Sequence, residues 1–163
     1  MLKQVSVYAE NKKGALKIVT GILTEAQINI LGSVTNDSAE YGIIRMVVTE
    51  PEKAQEILQK AGYLCRLTNV LGIEVEDEVG SLNKVLAAFL ESNINVNYQY
   101  LSFNRQSGKP VMVLHTDDCE FVYGQSRERS ALWKNRLAVF KAQAVFHRIF
   151  HIKDQRNPHS VFI

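Results

Sequence analysis

The chain has 163 residues, 46% hydrophobic and 22% charged, ordinary values for a globular protein and room for one medium domain or two small ones. Its formal net charge of +2 hides an imbalance: residues 1–120 carry 11 Lys+Arg against 15 Asp+Glu (net −4), and residues 121–163 carry 8 against 2 (net +6), so the chain changes character near residue 120. No apolar run is long enough to span a bilayer, and the N-terminus lacks the apolar stretch and cleavage site of a signal peptide, so a cytoplasmic protein without a membrane role is expected.

In chain order, Val5, Val7 and Ala9 alternate with Gln4, Ser6 and Tyr8, the pattern of a half-buried strand. A polar loop, Asn11 to Gly14, follows. Leu16, Val19, Leu23 and Ala26 then recur at helical spacing. Ile28 to Val34 returns to a strand, Asn36 to Gly42 is turn-rich, and Ile43 to Thr49 is a β-branched run suited to a central strand. Pro51 opens a second helix with the apolar face Ala54, Ile57, Leu58 and Ala61, and Gly62 ends it. Tyr63 to Thr68 reads as a last strand, so the order is βαββαβ.

The order then begins again. Asn11-Lys12-Lys13-Gly14-Ala15-Leu16 recurs as Asp77-Glu78-Val79-Gly80-Ser81-Leu82, an offset of 66 residues, and Ile28-Asn29-Ile30 recurs as Ile94-Asn95-Val96 at the same offset. Leu71, Ile73 and Val75 alternate with Gly72, Glu74 and Glu76. Leu82, Val85, Leu86, Phe89 and Leu90 form a helical stripe; Ile94 to Phe103 and Val111 to Thr116 read as strands around a turn at Arg105–Lys109. Thr68 to Leu71 is the only room for a linker. The fold class is therefore α+β: two ferredoxin-like βαββαβ units in tandem, each an antiparallel sheet with helices on one face. Residues 1–69 form the first domain, 70–125 the second (core to 117), and 126–163 a divergent basic and aromatic segment. After Asp117-Asp118-Cys119-Glu120 that segment does not resemble Pro51–Thr68, and Ala131 to Phe150 has helical character. It completes the second domain in divergent form, is a non-native or frame-altered terminus, or is a basic arm for nucleic acid or membrane.

The fold hosts many functions, so the site must decide. Cys65 and Cys119 lie far apart with no metal-ligand spacing and read as ordinary thiols. His115 is the one histidine in the repeated part; it has no Ser/Asp partner in sequence and reads as a core or edge residue. No catalytic residue, metal or cofactor is expected. The repeated loop remains. Gly14 and Gly80 let backbone approach a ligand, the unpaired first amides of the helix suit a carboxylate, and Asn11 or Asp77 offers acceptors to an ammonium group. Equally, Asn11 and Asp77 can be mere helix caps and the glycines mere turn formers.

The pattern of strand, Asn/Asp-x-x-Gly-[Ala/Ser]-Leu, helix and Ile-Asn-[Ile/Val], found twice within residues 2–117, resembles ACT domains. The resemblance implies a regulatory protein, not an enzyme. It binds an amino acid at a domain or subunit interface, dimerises, and controls an amino-acid metabolic enzyme. It assigns the ligand to Asn11, Lys13, Gly14, Ala15, Leu16, Asn29 and Ile30 in the first unit, and to Asp77, Val79, Gly80, Ser81, Leu82, Asn95 and Val96 in the second. The copies differ: Asp77 and Val79 replace Asn11 and Lys13, so the two sites are expected to differ in affinity. Two other functions use this fold. RNA-binding modules need aromatic residues on the central strands, where this chain has Ile43–Val48 and Val111–His115, and the acidic body argues against nucleic acid. Acylphosphatases need an arginine in the first loop, which Asn11–Gly14 lacks.

Overall fold

The computed structural model describes residues 1–36 and 41–127. It contains β1 (Leu2–Glu10), α1 (Ala15–Glu25), β2 (Ile30–Asn36), β3 (Tyr41–Val48), α2 (Pro51–Lys60), β4 (Leu64–Glu74), α3 (Ser81–Glu91), β5 (Val96–Phe103), β6 (Pro110–Thr116) and α4 (Cys119–Arg127). The strands form one antiparallel sheet in the order β2-β3-β1-β4-β6-β5.

The predicted periodicities sort residues to the two faces of this sheet. Val5, Val7, Ile44, Met46 and Val48 face α1 and α2, where Val19, Leu23, Ala54 and Leu58 complete a first core. Leu71, Met112 and Leu114 face α3 and α4, where Val85, Phe89, Cys119 and Val122 complete a second. Pro51 sits in the first turn of α2, Glu52 and Lys60 oppose the helix dipole at its two ends, and Gly62 terminates it at φ 91°. Two members of the predicted stripes are exposed instead: Leu16 is 49% and Leu90 79% accessible. Each lies a step round the helix from the packed residues, so the buried stripe is narrower than the apolar composition suggests.

The expected linker at Thr68–Leu71 does not exist as a loop. β4 runs unbroken through it, pairing with β1 from Leu64 to Val70 and with β6 from Leu71 to Glu74. The 69/70 boundary between units thus falls inside a strand that serves both. Although the sequence after Thr116 does not resemble Pro51–Thr68, a helix begins at Cys119, whose Sγ accepts a hydrogen bond from the Thr116 N–H at 3.3 Å. The predicted helix at Ala131–Phe150, and the nature of the terminal segment beyond Arg127, lie outside the described residues.

The sheet curls until its outer strands meet. β2 and β5 do not pair through their backbones; instead Ser102 Oγ donates to the Leu31 carbonyl at 2.5 Å, beside Gly32. The concave face is filled by a third cluster of Leu2, Val47, Val70, Tyr100 and Val113. Gln4, fully buried at its centre, donates to Tyr98 Oη at 2.8 Å and Ser6 Oγ at 3.0 Å, and accepts from Tyr100 Oη at 3.0 Å. Buried polar groups matched in this way fix one register between the two halves of the sheet. The concave face is also the surface on which an RNA-binding module of this fold would stack bases, and here it is closed off.

Candidate ligand site

The two glycine loops agree hydrogen bond for hydrogen bond. Lys12 N–H bonds Glu10 O at 2.9 Å, Ala15 N–H bonds Lys12 O at 3.1 Å, and Ile18 N–H bonds Gly14 O at 3.0 Å; 66 residues on, Glu78, Ser81 and Lys84 repeat the same three bonds at 2.9, 3.2 and 2.9 Å. Gly14 (φ 88°) and Gly80 (φ 90°) are the N-caps of α1 and α3, both in the left-handed region, which disfavours side chains with a Cβ. Gly14 and Gly80, not Asn11 and Asp77, occupy the N-cap positions, and neither helix has a side-chain bond from its N-cap residue. The N–H groups of Leu16, Lys17, Leu82 and Asn83 have no partner within their helices and carry the positive end of the dipole. A Cβ built on either glycine would meet nothing within 4 Å, so both loops open onto free space.

The loops differ in charge. In the first, Lys12 pairs with Glu10 at 2.5 Å, and that hydrogen bond raises the lysine above its usual range. The second is acidic: Glu76 pairs with Lys109 at 2.5 Å, and Glu74 accepts from Asn104 at 2.5 Å and Ser107 at 3.2 Å. Asp77, Glu78 and Val79 are exposed.

Within one unit, the predicted residues do not come together. Gln4 lies opposite Val47 and Ile30 opposite Val48, which puts Asn29 and Ile30 beside the start of β1, whereas Gly14 follows its end, where Glu10 is opposite Tyr41. Seven residues of strand separate them, about 23 Å. The second unit separates Gly80 from Asn95 and Val96 in the same way.

The units exchange these parts across the seam instead. The hairpin between β5 and β6 is tied to the end of β4 by Glu74, by Lys109–Glu76 and by the bond from Val75 N–H to Pro110 O at 3.0 Å; from there Arg105 donates to Asn29 Oδ1 at 3.2 Å. The Gly80 loop and Asn29–Ile30 thus share one end of the molecule. At the other end, Arg45 donates to Asn36 Oδ1 at 2.7 Å and lies 4.4 Å over the Tyr98 ring. The Tyr98 ring also stacks on His115, centroids 5.0 Å apart and planes 3° apart. Asn97 joins Asn95, His115 Nδ1 and Asp117 at 2.8, 3.1 and 2.7 Å. The Gly14 loop and Asn95–Val96 share this end.

Sequence reasoning did not find Arg45, Asn97, Tyr98, Arg105 and Asp117. They lie on strands, in the β5–β6 hairpin and in the turn after β6, outside the repeated motif, and no local signal marks them. His115, expected as a core or edge residue, is a half-buried member of this cluster. Burial holds its ring below the usual histidine range; Asp117 opposes the shift, and Arg45 and Arg66 reinforce it. A depressed pKa means that the unfolded chain takes up this proton more readily. His115's contribution is therefore complete above about pH 6.5 and falls as the pH drops further. Urea melts at pH 8 and pH 5 should show a smaller loss for His115→Gln than for the parent chain; equal losses would mean that His115 does not carry the acid sensitivity.

Among the described residues, no cluster of three or more His, Cys, Asp or Glu is placed to hold a metal, and no helix is long and apolar enough to cross a membrane. Cys65 and Cys119 are buried free thiols, and burial pushes Cys65 up to about 11.

Comparison with known proteins agrees with this architecture. The family model described as the ACT domain pair matches residues 1–144. The crystal structure of protein BT0572 from Bacteroides thetaiotaomicron is similar at 28% identity and a TM-score of 0.70, over 78% of this chain and 88% of that one. The regulatory subunit of aspartate kinase from Thermus thermophilus, in its ligand-free form, shares the fold at 14% identity and a TM-score of 0.56, over 78% and 93% of the two chains. That from Thermus flavus does so at 16% and 0.53, over 70% and 83%. No curated protein matches the sequence. With a family model matched over residues 1–144, a span that includes the repeat and the described fold, the chain belongs to the ACT domain pair family.

Proposed function

We propose that this chain is an amino-acid-binding regulatory protein with no catalytic activity of its own. It works in the cytoplasm as a homodimer and controls an enzyme of amino-acid metabolism. The observation that carries the reading is the twice-built loop: a left-handed glycine, first-turn amides with no partner in their own helix and open space around the glycine, each at the end of the molecule where the other unit's edge strand begins. One site combines Asn11, Lys13, Gly14, Ala15 and Leu16 with Asn95 and Val96. The other combines Asp77, Val79, Gly80, Ser81 and Leu82 with Asn29 and Ile30. The ligand carboxylate meets the helix amides, and the ammonium group meets Asn11 or Asp77. Shared fold with two regulatory subunits of aspartate kinase supports the regulatory role.

The test is a thermal-shift screen of the purified chain against the twenty amino acids. A ligand at about 100 times its dissociation constant should add roughly 2.7 kcal/mol. Gly14→Val and Gly80→Val should each remove the response of one site while leaving the other. A folded protein whose midpoint no amino acid moves at millimolar concentration would sink the proposal.

A further inference from the structure

Toward the end that holds the Gly14 loop, strand register lays three rows of side chains across the concave face of the sheet. From inside outward they are Val47, Gln4 and Thr68, then Arg45, Ser6 and Arg66, then Ile43, Tyr8 and Leu64, taken on β3, β1 and β4 in turn. Alternation puts them on this face, because Val5, Val7, Ile44, Met46 and Cys65 between them pack against α1 and α2. The inner row is sealed: Gln4 is fully buried, and Val47 belongs to the cluster with Leu2 and Tyr100. The outer row is open, with Tyr8 39% and Leu64 70% accessible, so the face ends here in a mouth.

The middle row gathers donors. Ser6 is buried; its Oγ accepts from Gln4 at 3.0 Å, and its own proton meets no acceptor among the described residues. Arg45 stands to one side, steadied by Tyr98 and Asn36, and the exposed Arg66 to the other. Both guanidiniums act on the ring of His115, which reaches the mouth from β6. Nearby carboxylates are engaged elsewhere: Glu10, one row further out on β1, pairs with Lys12, and Asn97 donates to Asp117 at 2.7 Å. We infer that this mouth binds a small carboxylate with an apolar body and no ammonium group, its carboxylate between Arg45, Ser6 and Arg66 and its body on Tyr8 and Leu64. Guanidinium forks match a carboxylate, and the mouth of a curled sheet is a common place for a ligand. Rows two residues apart lie about 7 Å apart, the reach of an acyl chain of about six carbons. An ammonium group would be repelled by both arginines. The inference is independent of the glycine-loop sites, with which this mouth shares no residue.

Hexanoate, titrated into the full chain and followed by calorimetry, tests it against acetate, hexanol and norleucine. Hexanoate should bind about tenfold tighter than acetate, because its four additional CH2 groups are partly covered. Hexanol lacks the charge and norleucine adds an ammonium group; in competition with hexanoate each should be weaker by about tenfold or more. A carboxylate beside the ring favours protonated imidazole, so His115 takes up a proton on binding, against the charges of Arg45, Arg66 and Asp117. Hexanoate should therefore bind more tightly at pH 6 than at pH 8, and His115→Gln should bind it equally at both. Arg66→Gln, at an exposed position, should keep the fold and weaken hexanoate about fivefold; Arg45→Gln is the second variant. No hexanoate binding at millimolar concentration, or unchanged binding in both arginine variants, would overturn the site. Norleucine competing as strongly as hexanoate itself would overturn the exclusion of ammonium, and acetate binding as tightly would overturn the apolar wall.

Discussion

Leu114→Ala is expected to cost about 2–5 kcal/mol, the range for removing a large aliphatic side chain from a closed core. Leu114 is fully buried in the middle of β6, opposite Leu71 on β4 and Gln99 on β5, and it packs with Val85, Phe89 and Met112. Cavity cost depends on whether neighbours can collapse, and here they are held by strand pairing on both sides. A small domain has only about 5–15 kcal/mol in total, so this loss is severe. Leu90→Ala on α3 is the internal control. Its side chain is mostly in water, and its replacement should change stability by no more than about 0.5 kcal/mol. Urea unfolding of the two variants gives the comparison; a cost under about 1 kcal/mol for Leu114→Ala would mean that the second core is loosely packed.

Gly32→Val is the second large effect and strikes a different place. A Cβ on Gly32 would stand 2.9 Å from Ser102 Cβ and 3.0 Å from Ser102 Oγ, a clash across the seam where β2 meets β5. Overpacking of this kind costs about 1–3 kcal/mol, and the bond from Ser102 to the Leu31 carbonyl is lost with it. The clash is with one side chain, so Ser102→Gly in the same chain should recover part of the loss. Strict additivity in that double-mutant cycle would show that the two residues do not touch in solution. Gly14 is a useful contrast: it has no neighbour to clash with, and a side chain there is opposed by its left-handed backbone alone.

Local order was legible because it is periodic. The strand alternation at Gln4–Ala9, Pro51 at the head of α2 and Gly62 at its foot each declare an element within a few residues, and the offset of 66 lifts a weak loop motif into a repeated one. What stayed hidden depends on contacts distant in sequence. Thr68 and Asn69 look like a linker because they break the apolar pattern, yet their backbones pair with β1 as well as any valine does. The closure of β2 on β5 rests on Gly32 and Ser102, seventy positions apart and unremarkable in themselves. Asp117-Asp118 resembles a break in the chain and is instead the short connection into α4. The candidate site shows the same division. Its loops are legible as a repeat, whereas the strand directions that carry Asn29 and Asn95 to the end of the molecule holding the other unit's glycine are not, because a repeat aligns residues by unit.

β4 has a mechanical consequence. Two units joined by a loop can swing; two units that share eleven residues of one strand cannot, since a swing would break main-chain bonds to β1 or β6 at about 1 kcal/mol each. The soft motion left to such a strand is torsion along its axis. A disturbance at either end of the molecule would then travel as a change of pitch, small in displacement and felt at both glycine loops together, in the way a twisted rod turns both of its ends.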